Sequence, residues 1–335
     1  MSSHQPLFFT ANPERLPQFV LETRLWRDGD KFVAEKRAAS AAASGHLRQL
    51  LANYQTIAAM TGLTRLVSVI PAAASAKTVR FNYVAGDSAE RQLLEAVLAD
   101  QSQAVAALID KALSVVESLP AKKTNPAKSA AYVKVFGRTY NSITDCASPG
   151  LIDLNFDNFI IGPGGRWHLF DYEWLFDFAV PKLYLKQRLF CWFVIRHQEI
   201  FSYHARRLKA VAIADNVLVP ASVYASFEPF IKDLSKCLAA EMAFQAYVTG
   251  RPSRRLAAIK LYKRVQRQPS LKLVGIDRVL AHESRAASLA EHAARLEERN
   301  QHLETELSYY RHSRGHQLLR KVGSVKRRSS RQKKP

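Results

Sequence analysis

One short segment limits the possible folds of this chain more than any other, because two β-prone apolar runs flank a glycine-rich turn in it. The runs are Asn158–Ile161 and Trp167–Phe170, and residues 162–165 between them read GPGG. This pattern predicts a β-hairpin, which brings its two ends together. Asn158 begins the first strand and Asp171 follows the second, so the two polar side chains are expected to meet at one end of the hairpin.

A second spacing adds a third polar residue to this place. Asp153 lies five positions before Asn158. Carboxylate and amide oxygens are ligands of Mg²⁺ in proteins, so an Asp, an Asn and an Asp at one hairpin mouth predict a cation site. One Asp is left over to orient an attacking hydroxyl group. Phosphoryl transfer from ATP needs this combination of groups.

In these residues the chain resembles the protein-kinase-like superfamily. The D-x-x-x-x-N spacing and the later Asp match the catalytic loop and the metal-binding Asp of that superfamily. The resemblance implies that Asp153 is the catalytic base, that Asn158 and Asp171 are Mg²⁺ ligands, and that ATP is the phosphoryl donor. A chance match is the alternative, which the hairpin and an upstream lysine strand disfavour.

The lysine strand belongs to a second predicted hairpin. Residues 19–27 and 31–37 are β-prone runs on either side of an Asp-Gly-Asp turn. Residues 33–36 read VAEK and match three of the four positions of the kinase V-A-I-K strand. The resemblance therefore implies that Lys36 binds the nucleotide phosphates. A solvated strand lysine is the alternative interpretation.

The following segments occur in the order of a kinase-like chain. Residues 45–60 have apolar residues at helical spacing and match the place of the kinase C helix. Residues 65–70 and 78–84 are predicted strands. The sequence YVAGD then resembles the hinge between the kinase lobes, which implies that Tyr83 and Val84 contact the adenine.

We therefore predict an α+β, two-lobed protein-kinase-like fold followed by a C-terminal coiled-coil helix. The second lobe is expected to contain a long helix over 88–118 and aromatic-rich helices over 182–210 and 221–249. The predicted domains are an N-lobe over 1–85, a C-lobe over 86–275, a coiled coil over 278–317 and a basic tail, expected to be disordered, over 318–335.

The coiled coil is predicted from a change of periodicity. Over residues 279–317, apolar positions alternate by four and three, and charged residues flank them. Asn300 occupies an a position, where a buried amide fixes register and oligomeric state. The pattern predicts a homo-oligomer, either a dimer or a trimer. A single amphipathic helix packed on the C-lobe is the alternative.

Composition excludes some classes of protein. The first residues have no basic region before an apolar run, so no signal peptide is predicted. The apolar run Leu189–Ile195 is far too short to span a membrane. Cys146, Cys191 and Cys237 are scattered and form no CxxC pair, so neither a zinc centre nor a disulfide framework is expected.

The net charge of +20 is concentrated near the C-terminus. Residues 311–335 contain ten Lys and Arg, residues 242–276 contain eight, and neither segment contains an acid. Such segments favour an anionic partner, and each basic residue near an anionic membrane contributes about 1 kcal/mol. We expect a cytoplasmic protein, peripheral at the inner face of the cytoplasmic membrane. Nucleic acid is the less expected partner, since no aromatic residue follows Tyr310.

A narrower resemblance combines these features. Residues 16–38, the YVAGDS at 83–88 and the IDLNFDNFII at 152–161 are similar to the kinase domain of bacterial O-antigen chain-terminating kinases. Those proteins are often fused to a methyltransferase and carry a C-terminal coiled coil. The resemblance implies phosphorylation of the terminal sugar of a lipid-linked polysaccharide, with a glycosyltransferase or polymerase as a partner. The chain has no GxGxxG motif for a methyltransferase.

Departures from the kinase pattern support a rival interpretation, a catalytically inactive pseudokinase scaffold that organises glycosyltransferases at the membrane. No Gly-rich loop precedes Phe19, so residues 10–16 would cover the phosphates without glycine. No Asp or Glu occurs from residue 37 to residue 86, so the C-helix partner of the phosphate-binding lysine is missing. Glu22 is the nearest candidate replacement. Glu173 stands where the Asp-Phe-Gly motif of kinases has its glycine. It is predicted to be an extra metal ligand or a supporting group.

Overall fold

The computed structural model describes residues 8–28, 31–75, 77–213 and 217–251. They form an antiparallel sheet followed by a mainly helical half, which confirms the expected α+β class with a sheet lobe before a helical lobe. The predicted coiled coil over 278–317 and the basic tail over 318–335 lie outside these residues. Within the described part of the chain, no helix is long and apolar enough to cross a membrane.

A five-stranded antiparallel sheet forms the first half, in the order β1 (Phe8–Ala11), β2 (Leu21–Asp28), β3 (Lys31–Ala38), β6 (Thr78–Asn82) and β5 (Ala72–Ser75). The hairpin predicted around residues 28–30 is confirmed as β2 and β3. Strands alternate their side chains between two faces, so Lys36, opposite Thr23 and Val79, shares the face of the buried Leu21 and Leu25. The strand between β3 and β5 in the chain, β4 at Ser68–Val69, belongs to a separate sheet.

Two helices, α1 at Ser44–Ala58 and α2 at Thr61–Leu66, lie between β3 and β4. Helix α1 packs on the sheet and occupies the segment predicted for the C helix. The prediction of a strand over 65–70 is wrong for residues 65 and 66, which belong to α2. Short apolar runs are compatible with helix and strand alike. Strand β5 was not predicted, since its three alanines have low strand propensity and only pairing with β6 defines it.

The predicted hinge lies between β6 and a short strand, β7 at Asp87–Ser88. Gly86 has φ +150°, and a Cβ there would lie 2.3 Å from the Ile161 carbonyl oxygen, so only glycine fits. The helix predicted over 88–118 is two helices, α3 at Ala89–Leu98 and α4 at Ser102–Glu117. Asp100, with φ +55°, separates them, because the left-handed conformation cannot continue a helix.

The central hairpin is confirmed and joins both halves of the fold. Its strands are antiparallel, with Phe159 opposite Leu169, and they pair with β7 on one side and β4 on the other. The hairpin therefore connects β7, which follows the hinge, to β4, which follows α2. The elements up to it are β8 Ala121–Thr124, α5 Ala130–Phe136, β9 Thr144–Ala147, β10 Gly150–Leu151, β11 Phe159–Ile161 and β12 Trp167–Leu169.

Helices complete the second half, and aromatic residues such as Phe190, Phe227 and Phe244 pack in its core. The helix predicted over 182–210 ends at Tyr203, and the one predicted over 221–249 is two helices. Asp233 Oδ1 accepts a hydrogen bond of 2.9 Å from the Ser235 amide at the break, a local bond that competes with helix continuation. The elements are β13 Leu175–Phe176, β14 Val180–Pro181, α6 Lys182–Tyr203, β15 Val211–Ile213, β16 Val217–Val219, α7 Ala221–Ile231 and α8 Ser235–Thr249.

Candidate active site

The loop before β11 places Asp153 and Asn158 side by side. Asp153 is buried, and its Oδ2 accepts a hydrogen bond of 2.6 Å from the Trp174 amide. Asn158 Nδ2 donates to the Asp153 carbonyl oxygen at 2.8 Å. The Phe170 amide donates to the Asn158 carbonyl oxygen at 3.2 Å. The hairpin thus closes at Asn158, and the chain continues directly into Asp171.

Lys36 reaches this place from the middle of β3. Its Nζ lies 2.8 Å from Asp171 Oδ1 and 3.2 Å from Glu173 Oε2. Only 8% of Lys36 is exposed, which is incompatible with a solvated strand lysine. Burial by itself lowers the pKa of Lys36, but the two carboxylates outweigh it and raise that pKa above its ordinary value, so the ammonium group stays charged.

Glu173, and not Glu22, is the second partner of Lys36. Glu22 instead accepts hydrogen bonds from Arg24 at 3.0 Å and Arg37 at 2.5 Å, so the expectation that it replaces the missing C-helix acid is wrong. A carboxylate two residues after Asp171 therefore supplies the second negative charge at Lys36.

Glu173 lies among the side chains of Arg15, Lys36 and His46. His46 Nε2, at the start of α1, lies 2.7 Å from Glu173 Oε1, and Arg15 Nη1 contacts the same oxygen. Burial raises the pKa of Glu173, but Arg15, Lys36 and His46 more than offset this, and the pKa lies well below its usual range. Glu173 is therefore ionised at every pH at which the protein is expected to work.

Helix α1 also holds the backbone of this segment. Asn53 is fully buried, and its Nδ2 donates to the carbonyl oxygens of Tyr172 at 2.9 Å and Glu173 at 3.0 Å. The Tyr172 hydroxyl donates to the Ile70 carbonyl oxygen at 2.9 Å. These bonds fix the position of Asp171 relative to the sheet, because its neighbour Tyr172 is held from both sides.

A buried arginine holds the loop that carries Asp153. Arg188 of α6 donates through Nη1 to the Ile152 carbonyl oxygen at 2.5 Å and to Asn155 Oδ1 at 3.0 Å. Its Nε donates to Glu241 Oε2 of α8 at 3.0 Å. The loop is thus anchored to two helices of the second half, which limits movement of the Asp153 carboxylate.

The Asp153 carboxyl group has a strongly shifted pKa. Burial is the largest cause, and the charges of Asp171 and Glu173 add to it, while Arg188 acts against it. The resulting pKa is about 8. A general base is most effective when its pKa lies near the working pH, so this shift suits Asp153 to accept a proton from a hydroxyl group.

These groups open onto one cavity of about 240 Å³. Asp153, Asn158 and Asp171 line it, and Lys36 contacts Asp171 at its edge. Tyr83 and Val84 do not line this cavity; they lie on the hinge. The other lining residues are Asn12, Glu14, Arg15, Asn155, Asp157, Glu173, Trp174, Arg188, Trp192, Arg196, Phe244, Gln245, Val248 and Thr249.

Asn158 and Asp171 are suited to hold Mg²⁺ together. Asn158 directs its amide nitrogen to a backbone carbonyl, which leaves the amide oxygen for a cation. Asp171 contacts Lys36 through Oδ1, which leaves Oδ2. One or two protein ligands with phosphate oxygens are the usual mode of Mg²⁺ binding in phosphoryl-transfer sites, so the donor set fits.

Sequence analysis missed Arg15, His46 and Arg188. Each lies far along the chain from the residue it contacts, and no motif marks it. One signal was present: residues 37–86 lack any acid. A lysine that is to be buried needs a carboxylate from another segment, and Glu173, two residues after the proposed metal ligand Asp171, was a candidate by position.

Glu173→Gln is expected to lower the free energy of unfolding by about 3 kcal/mol at neutral pH, because it removes the negative charge that pairs with the buried Lys36 and with Arg15. The pKa of Glu173 is lowered by folding, so its stabilising effect is present above the ordinary glutamate pKa and is lost only as the pH falls through the folded value. Thermal unfolding from about pH 5 to about pH 8 measures the effect. The matched control is Glu228→Gln, on the exposed side of α7. Equal melting temperatures for the two variants would contradict the assigned role.

Comparisons with known proteins do not assign this chain to a family. No family model matches the chain, and no curated protein sequence matches it. Among solved structures, choline kinase LicA from Streptococcus pneumoniae is similar, with 15% sequence identity and a TM-score of 0.32. The match covers 73% of this chain and 88% of that chain.

Proposed function

We propose that the protein is an ATP-dependent kinase that phosphorylates a sugar hydroxyl, at the terminal residue of a lipid-linked surface polysaccharide. The observation that carries this proposal is the 2.8 Å contact between Lys36 and Asp171 beside a cavity lined by Asp153 and Asn158. Four groups from three segments of the chain lie at this place, which supports a role in phosphoryl transfer from ATP.

Each group has a defined role in this proposal. Lys36 binds the nucleotide phosphates, and Asn158 and Asp171 hold Mg²⁺, which when bound neutralises phosphate charge. Asp153 orients the acceptor hydroxyl and takes its proton as the new oxygen–phosphorus bond forms and the bond to the leaving ADP breaks. The raised pKa of Asp153 favours acceptance of that proton.

The aromatic part of the cavity wall supports a neutral acceptor rather than a cationic one. The Arg15 guanidinium lies 5.6 Å from the centre of the Trp174 ring, and Arg196 lies 5.2 Å from that of Trp192. These rings already have cationic partners of the protein itself, which a quaternary ammonium group would have to displace. The polar wall residues suited to bind sugar hydroxyls are Asn12, Asn155, Gln245 and Thr249.

A pseudokinase scaffold remains the second candidate, and the loop without glycine before Phe19 favours it. The other argument for it, the missing C-helix acid, is weaker now that Glu173 contacts Lys36.

From the sequence alone we also propose that residues 279–317 form the contact between subunits of an oligomer. We further propose that the basic tail is attracted to an anionic membrane, where a glycosyltransferase or polymerase is the partner.

The proposed function predicts that the melting temperature of the wild-type protein rises with Mg²⁺ and ATP together, and far less with either alone. A ligand that binds only the folded state stabilises it by about 2.7 kcal/mol at a concentration of 100 times its Kd. Thermal-shift measurements with ATP and Mg²⁺, with ATP and EDTA, and with Mg²⁺ alone test this. Identical melting temperatures in all three would favour the scaffold.

A further inference from the structure

We propose that Arg15 binds the phosphoryl group in transfer and so replaces the backbone amides of a Gly-rich loop. The inference rests on the proposed kinase function and adds a residue that no kinase motif marks. Arg15 lies in the connection between β1 and β2, residues 12–20, which contains no glycine. Sequence analysis expected this part of the chain to cover the phosphates.

The loop is fixed in place by the second half of the fold. The Leu16 amide donates to the Val248 carbonyl oxygen of α8 at 2.8 Å. The Leu16 side chain also packs against Gly250, where a Cβ would lie 2.6 Å from Leu16 Cδ2. Phe19 lies against Trp174, with ring centres 5.2 Å apart. The loop is therefore anchored beside the cavity, and Arg15 is one of the residues that line it.

Arg15 and Lys36 hold one carboxylate between them. Lys36 Nζ lies 3.2 Å from Glu173 Oε2, and Arg15 Nη1 contacts Glu173 Oε1. The two cations thus lie on either side of a group two residues from the proposed metal ligand Asp171. A transferred phosphoryl group beside Asp171 and Asp153 would lie within reach of both.

The chemistry of arginine fits this role. Its planar guanidinium binds phosphate oxygens through two parallel hydrogen bonds, and an arginine that contacts the transferred group stabilises the charge of the transition state. The Arg15 side chain is 21% exposed, whereas the Glu173 side chain is 5% exposed. Arg15 is thus the partner that can turn towards the cavity and exchange Glu173 for a phosphate.

Substitution of Arg15 would have a different effect if Arg15 only held the loop against the second half of the fold. Loss of that contact would weaken the binding of every nucleotide alike and would lower the melting temperature. Losing a contact to the transferred group would affect only nucleotides that carry the γ-phosphate. Comparing ATP-like and ADP ligands therefore separates the two roles.

The experiment measures Mg²⁺-dependent binding of a non-hydrolysable ATP analogue and of ADP by calorimetry, for wild type, Arg15→Gln and Arg15→Lys. For Arg15→Gln we expect at least about a tenfold loss of affinity for the analogue, an ADP affinity within about twofold, and a turnover lower by about 10² or more. Arg15→Lys should recover part of the analogue affinity, since it keeps the charge. The matched control is Arg65→Gln, on an exposed position of α2, which should change neither affinity.

Three results would overturn the inference. Unchanged affinity for the analogue in Arg15→Gln would show that Arg15 does not contact the γ-phosphate. Equal losses for analogue and ADP, with a lower melting temperature, would assign Arg15 to loop attachment alone. Wild-type protein that binds neither ligand would overturn the kinase function and this inference together, whereas the first two results leave the kinase function standing.

Discussion

Asp153→Asn is expected to lower turnover at least about 100-fold while Mg-ATP affinity stays within about twofold. Asparagine keeps the shape and the hydrogen bond from the Trp174 amide but cannot accept the proton of the acceptor hydroxyl. Steady-state kinetics with calorimetric Mg-ATP binding measures both quantities. Asp110→Asn, an exposed carboxylate on α4, is the matched control and should behave as wild type.

The same variant has a second signature in the pH dependence. Folding raises the pKa of Asp153 to about 8, chiefly through burial, so stability from the neutral carboxyl is present below the ordinary aspartate pKa and is lost as the pH rises through about 8. Asp153→Asn should therefore gain melting temperature relative to wild type at about pH 9. For wild type, kcat/KM should rise with pH through the pKa of the free enzyme's base. Turnover of the variant equal to that of wild type would remove Asp153 from the chemistry.

Asp171→Ala is expected to abolish Mg²⁺-dependent binding of ATP. The change removes a proposed metal ligand and also one of the two carboxylates at Lys36, so metal and phosphate contacts are lost together. Calorimetry with and without Mg²⁺ measures the loss, and far-UV circular dichroism checks the fold. Asp171→Asn keeps the side-chain volume and should weaken the metal dependence without loss of structure.

Asp177→Ala provides the comparison for Asp171→Ala, because it removes an exposed carboxylate six residues further along the same segment. It should bind Mg-ATP as wild type does. If Asp171→Ala and Asp177→Ala bind the nucleotide equally well, Asp171 is not a metal ligand and the site assignment fails.

Both hairpins that carry the site could be predicted from sequence because their determinants are local. A glycine-containing turn between two β-prone runs requires no distant partner, and the pairs β2–β3 and β11–β12 formed where the pattern placed them. The spacing of Asp153, Asn158 and Asp171 then placed three polar side chains at one hairpin mouth. Helix boundaries were less well predicted, as the break at Asp100 shows, since a long apolar pattern does not reveal a single left-handed residue.

The charge arrangement around Lys36 was decided by tertiary structure alone. Lys36 and Asp171 are 135 positions apart, and Arg15 and Glu173 are 158 apart. A buried charge is tolerated only beside an opposite charge, but sequence shows neither which side chains become buried nor which carboxylate reaches them. The sequence by itself determined which polar groups the hairpins present. The packing of α1, the β1–β2 loop and the central hairpin against one another determined that Glu173, and not Glu22, became the partner of Lys36.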